Sequence, residues 1–308
     1  MEEADFRTVR SHYTSPAEET RALTAQLQDK VVVVTGGSRG LGKAIAEAFA
    51  GHAAHVTVAS RTPPDLPEGG PRRMAWMRAD VTDVDSVRAL ERHIRDTWGA
   101  LDILVNNAGT VTKDQPMLET PVSDLLRVID VNLKGPMLMS RLLVPLMKHR
   151  SGIVINVGSI AGRTLRPGLV PYSTSKAGLR HHSANLALEL AEMEGFAGVR
   201  VFAVDPGSMD TAMRRVIWPE ETDKSTLADP TKVALFFPRL AAGRIATDVE
   251  VGQPLRNGQE LVVRHYLPEL WPKRSRVSKG EQQGRLYQWI RRGARWAQAR
   301  LRSGPNNA

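Results

Sequence analysis

Along most of the chain, apolar runs of four to six residues alternate with longer segments in which apolar positions recur every three or four residues. The short runs, at 31–34, 56–59, 101–105, 153–157 and 199–204 with a weaker one at 74–79, are too brief for helices and apolar at successive positions. That is the pattern of strands buried on both faces. Between them the helical period predicts helices over 42–51, 83–98, 122–149, 173–194 and 230–242, the third interrupted by Gly135-Pro136. Ahead of the first run, Ser15, Pro16 and Glu18 supply an N-cap, a first-turn proline and a capping-box partner for one short helix. Strands and helices in strict alternation predict an α/β fold, a doubly wound, Rossmann-like parallel sheet with helices on both faces. No internal repeat or low-complexity linker divides residues 30–265, so these form one domain, with an N-terminal extension at 1–29 and a basic C-terminal tail at 266–308.

Charge changes the picture only at the tail. The 308-residue chain carries a net charge of +9, and from Arg264 to Ala308 there are 11 Lys or Arg against 2 Asp or Glu, so the preceding body is neutral. A nucleic-acid patch would therefore have to lie in the tail, and it ranks third among the readings of that segment. On a helical wheel for 285–302, Leu286, Trp289, Ile290, Trp296, Ala297 and Leu301 share one side while Arg291, Arg295 and Arg302 lie opposite. We expect this stripe to pack on the chain itself or a partner subunit; peripheral contact with a membrane surface is the alternative. Zero cysteines exclude disulfides, thiolate metal sites and cysteine nucleophiles. The eight histidines, His181 and His182 included, show no metal-ligand spacing, and no metal is expected. An acidic opening, "MEEADF", and the absence of any apolar run near the ~20 residues that span a bilayer lead us to expect a soluble, cytoplasmic protein.

Chemistry begins at "VVVVTGGSRGLGKA", Val31 to Ala44, where a strand runs into a loop with four glycines. Gly37 to Lys43 has the spacing of a nucleoside-triphosphate loop, but Ala44 stands where a Ser or Thr hydroxyl would meet magnesium. Thr35-Gly36-x-x-x-Gly40-x-Gly42 instead gives a strand, a tight glycine turn and a helix start, whose free N–H groups and dipole attract a pyrophosphate. About twenty residues later, where dinucleotide folds place a carboxylate for the ribose hydroxyls, this sequence has Ser60 and Arg61. With Arg39 in the first loop, that position suits a 2′-phosphorylated ribose, so the expected cofactor is NADP(H) rather than NAD(H). Tyr172 and Lys176, four apart on one helix face, offer a phenol beside an ammonium that would draw its pKa down toward the range of a working acid and base. The strand "GIVINVGS" ends at Ser159, at the edge of the sheet where ligands of such folds bind.

The ordered set "TGGSRGLG", "ADV", "NNAG", Asn132 in "DVN", Ser159 in "VGSIAG", "YSTSK" and "DPGSMDT" resembles the short-chain dehydrogenase/reductase family over residues 30 to about 245. The resemblance implies an NAD(P)-dependent oxidoreductase interconverting a ketone and a secondary alcohol, as a homodimer or homotetramer. In the catalytic set it implies, Tyr172 donates a proton to the carbonyl oxygen and Ser159 binds that oxygen. Lys176 holds the nicotinamide ribose and lowers the Tyr172 pKa, and the Asn132 backbone completes a proton relay through a water. Its implied cofactor surface is Thr35, Gly36, Ser38, Arg39, Gly40, Leu41 and Gly42, then Ser60 and Arg61, and Asp80 and Val81 at the adenine. Asn107, Ala108 and Gly109 follow on the adenosine side, then Pro206, Gly207 and Thr211 at the carboxamide, with Tyr172 and Lys176. Asn106 and Asn107 could equally end a strand, and Asp80 could cap the next helix.

Two departures stand out. The region "VGQPLRNGQELVV" lacks the Asp-Gly-Gly-like ending of the family's seventh strand, which puts that strand in doubt, and Pro136 disturbs the helix around Asn132. The loop 160–171 and the segment 208–228 are expected to shape the substrate pocket. Leu165, Leu169, Met209, Met213 and Trp218 would form its apolar wall, with Arg163, Arg166, Arg214 and Arg215 nearby for an acidic group. A reductase of carrier-bound 3-oxoacyl thioesters and a non-catalytic NADP(H)-binding protein are the alternatives.

Overall fold

The computed structural model describes residues 15–65, 73–245, 254–267 and 270. Apart from residues 266, 267 and 270, the basic tail, with the helix expected over 285–302, lies outside them. Among the described residues, seven parallel strands form a single sheet in the order β3-β2-β1-β4-β5-β6-β7. These are β1 (Val31–Thr35), β2 (His55–Ser60), β3 (Met74–Arg78), β4 (Ile103–Asn106), β5 (Ile153–Val157), β6 (Arg200–Asp205) and β7 (Glu260–Val262). Each predicted run is a strand within two residues of its expected limits. The strand left in doubt exists: β7 pairs with β6, Val262 opposite Asp205. Because the order reverses between β1 and β4, a crevice opens above their carboxyl ends, the place where ligands bind in open α/β sheets.

Each face of the sheet carries its own apolar layer. On one side α2 (Gly40–Ala50), α8 (Pro230–Ala234) and α9 (Phe236–Ala241) bring Ile45, Phe49, Val233, Phe236 and Phe237 onto Val32, Val34 and Val58. On the other, α3 (Val84–Trp98), α5 (Gly135–Leu143) and α6 (Val170–Glu192) bring Leu90, Ile94, Leu143 and Leu190 onto Val33, Leu104 and Val201. The capping box is present on α1 (Pro16–Leu27), where the Ser15 hydroxyl accepts from the Glu18 N–H and the Glu18 carboxylate accepts from the Ser15 N–H. Leu23 and Leu27 of α1 are buried and Glu19 pairs with Arg239 at 2.7 Å, so this helix is packed onto the domain.

Prolines divide two segments that helical period alone makes continuous. Residues 122–147 become α4 (Val122–Ile129), one π turn (Asp130–Lys134), α5 and a 3-10 turn (Val144–Met147). Pro136 has no N–H, so the Asn132 carbonyl four residues earlier has no α-helical donor. Pro238 does the same to Ala234 and splits the helix expected over 230–242 into α8 and α9. The helical period did not reveal α7 (Ala212–Ile217) or α10 (Val263–Tyr266).

Candidate active site

At the switch point the glycine loop has the shape of a phosphate cradle. Gly36 and Gly40 adopt φ values of +63° and +54°, left-handed backbone that glycine enters without strain. A Cβ at Gly36 would lie 2.8 Å from the Ala108 Cα, whereas one at Gly40 would meet nothing within 4 Å. The loop is therefore clamped on the Ala108 side and open in front of Gly40. Arg39, the N-cap of α2, makes no side-chain cap hydrogen bond, so the first-turn N–H groups of Gly40, Leu41 and Gly42 remain for an anion. That arrangement fits a dinucleotide pyrophosphate. Thr35 does not face the groove: its buried hydroxyl accepts the N–H of Asn107 and of Ala108, both at 3.0 Å. The Asn107 amide in turn donates to the Thr35 carbonyl at 3.0 Å, so these residues hold the loop in shape. A Cβ on Gly42 would collide with the Asn107 amide and the Gly36 carbonyl. Gly42→Ala is therefore expected to weaken nicotinamide dinucleotide binding at least tenfold in calorimetric titration.

On the adenosine side, Ser60 is buried at the end of β2 and Arg39 and Arg61 are exposed. The Asp80 carboxylate accepts from the Thr82 N–H at 2.9 Å and the Thr82 hydroxyl at 2.7 Å. The cap of α3 is Asp83, so Asp80 closes its own turn and does not cap that helix. Burial raises the Asp80 pKa, but the Thr82 bonds, Arg61 and Lys134 outweigh it and hold the carboxyl below its ordinary value. Val81 packs on Gly135.

The four residues expected to carry chemistry converge beside β5. Ser159 follows the strand and accepts the Ala161 N–H at 3.2 Å, and its hydroxyl is near enough to the Tyr172 phenol to act on its pKa. Gly162 permits this turn to sit on α6, since a Cβ there would lie 2.9 Å from the Lys176 carbonyl. Lys176 is 5% exposed and donates to the Val157 carbonyl at 2.8 Å, its Nζ 5.8 Å from the centre of the Tyr172 ring. Asn132 is fully buried: its amide donates to the Thr110 carbonyl at 2.8 Å and to Ser175 at 3.1 Å, and its side-chain oxygen accepts the Thr110 N–H. The side chain is thus occupied, and Pro136 withholds the N–H that an α-helix would offer the Asn132 carbonyl.

One expectation is corrected here. Burial raises the Tyr172 pKa above its ordinary value, opposed by the Ser159 hydroxyl and reinforced by Asp205, in place of the depression that Lys176 was expected to cause. Burial also acts on the lysine and pulls it down to about 8, with Asp205 opposing. Low polarity penalises both charged forms at once, and so the phenol keeps its proton.

A phenol, a serine hydroxyl and a lysine thus stand at one strand end beside an anion cradle. The family described as short chain dehydrogenase matches residues 30–222, well over half the chain. The chain belongs to the short-chain dehydrogenase/reductase family. It is an NAD(P)-dependent oxidoreductase. Among relatives, it is 33% identical over 235 residues to the 3-oxoacyl-(acyl-carrier-protein) reductase FabG of Thermotoga maritima, a match spanning 74% of this chain and 89% of that one. It is 35% identical over 228 residues to the enzyme of that name from Vibrio cholerae, spanning 71% and 89%. In structure it resembles a short-chain type dehydrogenase/reductase from Mycobacterium marinum, with a TM-score of 0.67, 27% identity and coverage of 79% and 96%. Aldohexose dehydrogenase from Thermoplasma acidophilum gives a TM-score of 0.67 at 28% identity, covering 82% and 98%.

The pocket beside these residues differs from its sequence-based outline. Leu165 is 97% exposed and Leu169 is buried in the core, so Met209, Met213 and Trp218 remain of the apolar wall. Met213 reaches over the cleft, its methyl 3.5 Å from where a Gly109 Cβ would be. Three of the four arginines expected near an acidic group are paired within the chain. Arg214 pairs with Glu221 at 2.5 Å and stacks on Trp218; Arg215 pairs with Asp210 at 2.9 Å; Arg163 lies 3.6 Å from buried Asp205. Thr211 caps α7 and Gly207, at φ +77°, donates its N–H to Asp205 after buried Pro206. Asn106 turns inward, donating to Asn156 at 2.8 Å, which donates to Ser183 at 2.8 Å, and so it ties β4 and β5 to α6. The sequence reading missed Asp205, whose charge acts on both Tyr172 and Lys176. It missed Trp76 as well.

Proposed function

We propose that this enzyme is an NADP(H)-dependent reductase interconverting a ketone and a secondary alcohol, working in the cytoplasm as a homo-oligomer. The observation that carries the reading is the meeting of Ser159, Tyr172 and Lys176 at the carboxyl end of β5, next to the open glycine cradle. Preference for NADP(H) is supported by Ser60 and Arg61 at the end of β2, where a carboxylate would repel a 2′-phosphate, with Arg39 across from them. The bound nicotinamide supplies the hydride. Ser159 would hydrogen-bond the substrate carbonyl oxygen and hold it against the Tyr172 hydroxyl, which donates its proton to that oxygen as charge develops. Keeping the phenol protonated, as its burial does, suits the reducing direction. Lys176 would then bind the ribose hydroxyls, and protons would return to Tyr172 past the Asn132 carbonyl. Met213 would help to keep water from the reacting atoms.

Self-association is supported by a trough on α4 and α5 lined by Ile129, Leu133, Met137 and Leu138, with Leu126 and Met137 exposed beside it. Internal pairing of Arg163, Arg214 and Arg215 favours a neutral carbonyl over an acidic carrier. The deciding experiment follows oxidation of reduced nicotinamide with free ketones and 3-oxoacyl thioesters, using NADPH and NADH in parallel. Turnover of free ketones with NADPH at least tenfold above NADH is expected. Turnover confined to thioesters would establish the carrier-linked reaction, and none with either would leave a cofactor-binding protein.

A further inference from the structure

Trp76, at the middle of β3, pairs in register with Val58, and its side chain leans diagonally along the sheet toward Ser60 at the end of β2. Its indole N–H donates to both the Ser60 hydroxyl, at 3.1 Å, and the Ser60 carbonyl, at 3.2 Å. The Ser60 hydroxyl donates to the Thr62 carbonyl at 2.7 Å, and the Thr62 hydroxyl donates to the Ser38 hydroxyl at 3.4 Å. These four residues form one directed chain of hydrogen bonds from the third strand, through the turn after the second, into the glycine loop. Arg61 lies between Ser60 and Thr62, and Arg39 follows Ser38, so both arginines sit on backbone that this chain fixes. The Ser60 hydroxyl is fully engaged within the turn, between the Trp76 N–H and the Thr62 carbonyl.

We propose that Trp76 is the positioning residue for 2′-phosphate recognition: through Ser60 and Thr62 it holds Ser38, Arg39 and Arg61 where their donors converge on the phosphorylated ribose. This rests on the NADP(H) reading above. An indole is suited to the task because it is a donor with no acceptor and only two rotatable bonds, so it sets both the direction and the place of the Ser60 hydroxyl. Trp76 is 39% exposed and lies outside the apolar core, and its N–H is turned onto Ser60. Backbone held in advance beneath the two arginines leaves less freedom to lose on binding, and the gain applies only to the ligand that carries the phosphate.

The test is calorimetric titration of wild type and Trp76→Phe with NADPH, NADH, adenosine 2′,5′-bisphosphate and AMP. We expect Trp76→Phe to weaken NADPH and the bisphosphate about tenfold and to leave NADH and AMP within twofold. Equal weakening of all four, or of none, overturns the proposal and reduces Trp76 to a residue that only holds β3. Wild-type protein that does not prefer NADPH overturns the NADP(H) reading itself, and the proposal with it, before any variant is measured. Thr62→Val, on an exposed residue, cuts the same chain one link later and should give the same selective loss. If Trp76→Phe does not fold, the selectivity of Thr62→Val decides.

Discussion

Replacing Tyr172 with Phe is expected to lower kcat for ketone reduction 10²- to 10⁴-fold, while the Kd for NADPH stays within about threefold. The substitution keeps the ring, its place on α6 and its distance from Lys176, and deletes only the hydroxyl that faces Ser159. In barrier terms this is roughly 3 to 5 kcal/mol, the contribution of one well-placed general acid. Because most of the proposed cofactor contacts lie away from this hydroxyl, on the glycine loop and the end of β2, kcat should carry the loss and cofactor binding little of it. Burial sharpens the expectation: with the phenol's pKa raised, the proton donor is fully formed at neutral pH. Water reaching the same oxygen in the variant would have to replace a donor held by a strand end and a helix. A variant that kept a tenth of wild-type turnover would remove Tyr172 from the proton's path.

The fold and the core of this site were legible in the sequence for a definite reason. Parallel strands between helix layers must be largely apolar on both faces, so β1, β2, β4, β5 and β6 announce themselves as short, predominantly aliphatic runs. Local chemistry was readable as well. The capping box of Ser15 and Glu18 needs only three residues of spacing, and the left-handed turns at Gly36 and Gly40 need only glycine. What stayed hidden depends on partners far apart in the chain. Trp76 acquires its meaning from a register that sets it opposite Val58, two residues before Ser60 on the neighbouring strand, and Asp205 from a sheet order that sets β6 beside β5. The arginines near the pocket looked free because their partners, Asp205, Asp210 and Glu221, cannot be told from solvated acids without coordinates. The raised Tyr172 pKa belongs to the same class, since a sequence shows a nearby lysine but not how little water surrounds the pair.

Lys176→Met is expected to abolish turnover at least a hundredfold and, at neutral pH, to make the cofactor-free protein more stable. Burial lowers the Lys176 pKa from 10.5 to about 8, so folding at pH 7 forces a charged ammonium into surroundings that favour its neutral form. The two and a half pH units between those values correspond to about 3 kcal/mol, a cost that is constant below pH 8, where folded and unfolded chains are both protonated. Between pH 8 and 10.5 the unfolded chain holds the proton that the folded one has released, so stability rises with pH and the cost fades. Methionine has no such proton. It does forfeit the hydrogen bond to the Val157 carbonyl, about 1 kcal/mol, which leaves a net gain of about 2 kcal/mol at pH 7. At about 2 to 4 °C per kcal/mol for a domain of this size, Tm should rise by several degrees at pH 7. By pH 10.5 that advantage should be gone, with the wild type the equal or better of the two. A variant no more stable than wild type at pH 7 would mean that the ammonium is well accommodated where it sits, and that its pKa is not depressed. Bound ribose hydroxyls would accept from the same ammonium, so the stability the protein forgoes without its cofactor is regained when the site is filled.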